Sequence, residues 1–214
     1  MTMHLGISKR MESAVFVFSV ALLYPTASYS ATAAMISQGG QINPPADDSL
    51  HGWRFSPNES IVVSHLGLFD NLNDGFNSDH EIGIFDYASG TLLVSAFLNA
   101  GTGDLLVDNF RYTEISGTLL EADTEYIVAF HASEEDLMVI DNPVSLSFDP
   151  GITYLSSSWS EGSGSLDMPV NQGGTFPYRF GPNFQFDTIP EPSSLAFLLL
   201  MAPSLLKRRR HRTS

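Results

Sequence analysis

The middle of this sequence predicts an all-β fold: a two-sheet antiparallel β-sandwich, jelly-roll or immunoglobulin-like. Three observations carry the prediction. Between Ala34 and Asp187 no eleven-residue window shows helical periodicity; short runs rich in β-branched and aromatic residues recur instead; and turn-forming residues separate those runs. Strands repeated at this spacing make sandwiches rather than isolated hairpins.

In order, the strands are expected at His51–Ser56, Ser60–Phe69, Glu81–Asp86, Thr91–Leu98, Leu105–Thr113 and Glu125–Ala132. Leu137–Ile140, Val144–Phe148, Ile152–Ser158, Phe176–Phe180 and Asn183–Phe186 follow. Alternation assigns faces. Trp53 and Phe55 share one, and Tyr126, Val128 and Phe130 lie opposite Ile127 and Ala129. Trp53, Phe55, Ile82, Ile84 and Phe130 are the expected core. Ala88-Ser89-Gly90 and Asp149-Pro150-Gly151 supply turn chemistry. Ser156 to Gly174, rich in Ser and Gly, reads as the least regular part of the domain.

Both ends differ from this middle. Lys9 and Arg10 precede an apolar run from Ala14 to Leu23, Pro25 stops any helix, and small residues follow at Ser28-Tyr29-Ser30 and Ala31-Thr32-Ala33. That is the anatomy of a secretory signal peptide over 1–33, cut between Ser30 and Ala34. At the other end, Pro190-Glu191-Pro192 leads into an apolar stretch, Leu195 to Leu206, and then Lys207, Arg208, Arg209 and Arg210. As a helix the stretch is about 18 Å long, short against a hydrocarbon core of about 30 Å. Arginines flanking a span stay cytoplasmic, as do the basic residues before the first apolar run. The domain from 34 to 188 is then outside, between two inside ends.

Charge agrees with that division. The segment from Ala34 to Pro190 has 22 carboxylates against Arg54, Arg111 and Arg179, a formal charge of −19, and no lysine. Such a surface repels nucleic acid and anionic lipid. The chain has no cysteine, so an exported domain must rest on its apolar core, on bound ions, or on both.

The order Pro-Glu-Pro, short apolar span and Arg-rich end over 189–214 resembles the PEP-CTERM sorting signal of Gram-negative bacteria. The resemblance implies recognition through Pro190, Glu191, Pro192, Arg208, Arg209 and Arg210 by exosortase, a membrane protease-transpeptidase. It implies an inner-membrane-anchored intermediate and final delivery to the cell surface or exopolysaccharide matrix. The runs HGWRFS, LGLFDNLNDGFNSDHEIGIFD, SGTLLVSAFLNAGTG, NFRYTEI, LEADTEYIVA and GPNFQF resemble a β-sandwich of uncharacterised function found in many PEP-CTERM proteins. A looser similarity reaches sandwich modules attached to secreted glycoside hydrolases. Neither likeness carries an activity.

Residues for chemistry are sparse. GxSxG, P-loop, GxGxxG and HExxH patterns are missing, and His51, His65, His80 and His131 are scattered singly. One loop stands out, DNLNDGFNSDHE from Asp70 to Glu81. It fits the twelve-position calcium loop at Asp70, Asp74, Gly75 and Glu81 but fails at Leu72, and no flanking helix is expected, so it is no EF-hand. It still offers calcium hard oxygen ligands in Asp70, Asn73, Asp74, Asp79 and Glu81. The competing reading is an Asx-turn loop. Trp159, beside the Ser/Gly-rich segment, is the aromatic best placed to touch a glycan.

The function this supports is a non-catalytic exported sandwich with a structural, adhesive or weak glycan-binding role. The alternatives are a secreted carbohydrate-active enzyme using paired carboxylates, or a binding module that stands alone.

Overall fold

The computed structural model describes residues 31–38, 41–43, 48–132, 136, 139–141, 145–162, 164–173 and 180–189. Residues 1–30 and 190–214 lie outside these. So do the apolar stretches near both ends, Pro190, Glu191, Pro192, Arg208, Arg209 and Arg210, and most of the strand expected at Phe176–Phe180. Among the described residues no helix is long and apolar enough to cross a membrane.

The fold is all-β. Its strands are β1 (Thr32–Ala33), β2 (Met35–Gln38), β3 (Gln41–Asn43), β4 (Ser49–Pro57) and β5 (Ile61–Phe69). Then come β6 (His80–Asp86), β7 (Leu92–Leu98), β8 (Leu105–Val107), β9 (Phe110–Leu120) and β10 (Tyr126–Ala132). The last are β11 (Val139–Asp141), β12 (Ser145–Phe148), β13 (Ile152–Glu161), β14 (Asn171–Gln172) and β15 (Pro182–Thr188). One sheet runs β14-β13-β4-β10-β6-β7, the other β1-β15-β5-β9-β8, and the small pairs β11-β3 and β12-β2 stand beside them. The pairings are antiparallel.

One core joins the two sheets. Trp53, Phe55, Ile82, Ile84 and Phe130 of the first are fully buried against Leu66, Leu68, Phe184 and Phe186 of the second. Trp53 stacks on Phe184 with ring centroids 5.7 Å apart, and its indole N–H donates to the Pro182 carbonyl at 2.7 Å. The indole therefore buries its apolar body and satisfies its one donor across the sheets. The expected core set is thus found together. The reverse face of β10 is also covered: Ile127, Ala129 and Phe85 lie under Leu166 and Met168. Strand β10 is apolar on both faces because both are roofed.

One expectation is corrected. The single strand expected at Leu105–Thr113 is a hairpin, because Asp108 and Asn109 have φ of 48° and 67° and form a two-residue turn between β8 and β9. The Ser/Gly-rich stretch is regular only in part: β13 runs to Glu161 with Ser158 fully buried and β14 covers Asn171–Gln172, while residues 164–170 lie in neither strand. The Ser156 and Ser158 hydroxyls both donate to the Gln172 side-chain carbonyl, so β14 holds these serines. Thr32 and Ala33 pair with Phe186 and Gln185, placing residues 32–33 inside the sheet.

Register fixes which loops share an end. Strand β5 leaves Ile61 for Phe69, β15 runs back from Pro182 to Thr188, and β1 starts beside Phe186. Residue 31 and residues 188–189 therefore leave the sheet at one pole, with the 58–60 and 121–125 loops. The 70–79, 99–104 and 161–164 loops sit at the other. These are the chain-end pole and the loop pole.

Candidate functional site

The loop pole is built around a buried cation. Arg111, at the start of β9, is 3% exposed and its Nε donates to the Asp70 carboxylate at 2.7 Å. Asp70 is itself only 2% exposed. Arg111 Nη1 donates to the carbonyls of Thr102 and Asp104, each at 3.1 Å, and Nη2 to that of Asn73 at 3.1 Å. One planar guanidinium thus ties the 70–75 loop to the 99–104 loop, a geometry that suits arginine's fixed fork of donors. Asp70 also accepts the Gly75 N–H at 3.1 Å. Gly75, at φ 95°, packs its backbone on Gly101, where a Cβ would collide with the Gly101 carbonyl.

A second knot lies alongside. Asp136, 6% exposed, accepts the Asn77 N–H at 2.9 Å, the Asn77 side-chain amide at 2.8 Å and His80 Nε2 at 2.7 Å. A third closes the 161–164 loop. Asp48 accepts from His131 at 2.7 Å and from the Gly164 N–H at 2.8 Å. The hydrogen bond from His131, then that from Gly164, hold the Asp48 carboxyl below its ordinary pKa of 3.8. The 3₁₀ turn Asn71–Asn73 that projects from this frame carries Leu72 at φ 71°, 81% exposed.

The structure gives several of the residues expected to ligate calcium other partners. Asp70 is turned inward, and its charge is met by Arg111. Asn73 spends its side-chain amide on Asn109 at 3.0 Å, Asp79 caps the Ala100 N–H at 2.8 Å, and Glu81 accepts the Ser95 hydroxyl at 3.1 Å. Asp74, which follows the 3₁₀ turn, is exposed. Among the described residues no group of three or more His, Asp or Glu side chains is placed to hold a metal ion. The cation that serves Asp70 stands 41 residues away in the chain, where no local pattern points to it. The expected result is that calcium shifts the melting temperature no more than sodium chloride at matched ionic strength. A calcium-specific rise lost in Asp74→Ala would establish the calcium site.

Trp159 is 38% exposed, next to His51 in β4 and to Asn171 in edge strand β14. It lies towards the loop pole. Other aromatics serve the fold. Trp53 and Tyr112 are buried, and burial pushes the Tyr112 hydroxyl well above its ordinary pKa. The Tyr87 ring carries the Arg54 guanidinium 4.1 Å from its centroid. Arg111, Asp136 and Asn183 were passed over in sequence, and each acts through partners far along the chain.

Compared with models of known protein families, the chain matches none, and no curated protein is significantly similar to it.

Proposed function

We propose that this protein is an exported, non-catalytic β-sandwich of a Gram-negative envelope, held at the membrane before exosortase-type sorting delivers it to the surface or exopolysaccharide matrix. The observation that carries the reading is the adjacency of β1 and β15. Because Thr32 pairs with Phe186, the leading and trailing segments leave the sandwich side by side at the chain-end pole. Two apolar segments flanking one domain can then meet one membrane without crossing its body. The loop pole, with Trp159 and the Leu72 turn, points away from that membrane. A formal charge of −19 over Ala34–Pro190 suits a domain that must stay off anionic lipid.

The finer fold belongs to the same reading. β5 pairs with β9 in one sheet while their successors β6 and β10 pair in the other. This interlocking matches the B–E and C–F pairs of an immunoglobulin-like sandwich. The role proposed for the loop pole is adhesive or structural, with weak glycan contact through Trp159.

Orientation tests the membrane half of the proposal. Replacing Arg208, Arg209 and Arg210 together with Ser removes the charges that hold the tail inside. A C-terminal reporter active only in the periplasm should stay silent on the native chain and gain signal on the triple variant. An equal signal from both would contradict the assigned topology.

A further inference from the structure

The start of the sandwich says where the leader must be cut. This inference rests on the export reading above. Two sets of small residues could place a signal-peptidase site: Ser28 and Ser30, or Ala31 and Ala33. By composition alone the Ala-Thr-Ala set is the better match, and it would make Ala34 the first residue of the mature chain.

The structure disfavours that cut. Ala34 is fully buried, its N–H donates to the Phe184 carbonyl at 2.9 Å, and its carbonyl accepts from Asp149 at 3.0 Å. Met35, 1% exposed, exchanges two bonds with the Asn183 side chain, at 3.1 and 2.8 Å. A cut after Ala33 would set an α-ammonium at a buried position whose backbone site has one acceptor. Burying a charge without a partner is strongly unfavourable. It would also strip β1 from β15 and leave that edge open.

The other cut solves a different problem. Extending the β1–β15 register by one residue, from Thr32 opposite Phe186, sets Ala31 opposite Asp187. Asp187 has a buried carboxylate oxygen, Oδ1, with no hydrogen-bond partner among the described residues. A carboxylate oxygen left so is costly, and a cation beside it would remove the cost.

We propose that the leader is hydrolysed at the Ser30–Ala31 bond and that the new α-ammonium of Ala31 pairs with Asp187. Water adds across the amide: the acyl half leaves as the Ser30 carboxylate, and Ala31 keeps the amine, which takes up a proton. Processing thereby supplies the cation that completes the chain-end pole, and β1 stays in its sheet.

The test is the mass and N-terminal sequence of the protein recovered from the envelope of a Gram-negative host expressing the full chain. The expected first residues are Ala-Thr-Ala-Ala-Met. A start at Ala34 overturns the assignment while leaving export standing. An intact Met1 overturns both. Ser30→Leu should block processing and Ala33→Leu should not; the reverse pattern contradicts the proposal. In the processed protein the α-amine should titrate above the usual value of about 7.7–8.0, and Asp187→Asn should return it to that range. An α-amine unmoved by Asp187→Asn would refute the pairing.

Discussion

Replacing Arg111 with alanine is expected to cost about 3–5 kcal/mol of folding stability, because it leaves a buried Asp70 carboxylate without its cation. The pair is dry on both sides, with Arg111 and Asp70 at 3% and 2% exposure. Three loop carbonyls lose their donor in the same step. Arg111→Lys should recover only part of this, since an ammonium keeps the charge but cannot reach four acceptors in one plane. Urea unfolding of the three proteins measures it. A loss under 1 kcal/mol in Arg111→Ala would show that the two loops hold together without the guanidinium.

Phe130→Ala should cost about the same, about 3–5 kcal/mol, for a different reason. The ring is fully buried in the core shared by the sheets, with Ile82 and His51 opposite it on the flanking strands. Truncation removes apolar contact and leaves a cavity that two paired sheets cannot collapse to fill. Circular dichroism should still report a β-fold at low temperature. A loss under 1 kcal/mol would place Phe130 at the surface and overturn the register of β10.

The two residues also show which parts of the molecule could be read from sequence. Phe130 was legible because strand alternation is local: Tyr126, Val128 and Phe130 recur at every second position, and the pleat alone puts them on one face. Trp53 and Phe55 were legible on the same ground. Arg111 was not. Its partner is 41 residues away, and nothing local tells a strand arginine that caps a distant loop from one in solvent. The Asp136 knot, 56 residues from His80, was hidden for the same reason. The β8–β9 turn did have a local signal, Asp108-Asn109, the residue types that tolerate left-handed backbone. The apolar run through Leu105–Val107 masked it. The strand expected over Ile152–Ser158 runs on to Glu161, where edge strand β14 gives its serines a partner in Gln172 that no local pattern shows.

The central claim is that the tail beyond β15, and not the sandwich, keeps this protein at the membrane. Ending the chain before Pro190 removes the Pro-Glu-Pro motif, the apolar stretch and the arginines, and leaves β15 intact to Thr188. Fractionation of a Gram-negative host that carries an exosortase, expressing either the full or the shortened chain, measures the claim directly. The account predicts the full chain in the membrane and then at the surface, and the shortened chain as a soluble, folded, acidic periplasmic protein. Identical fractionation of the two would contradict it.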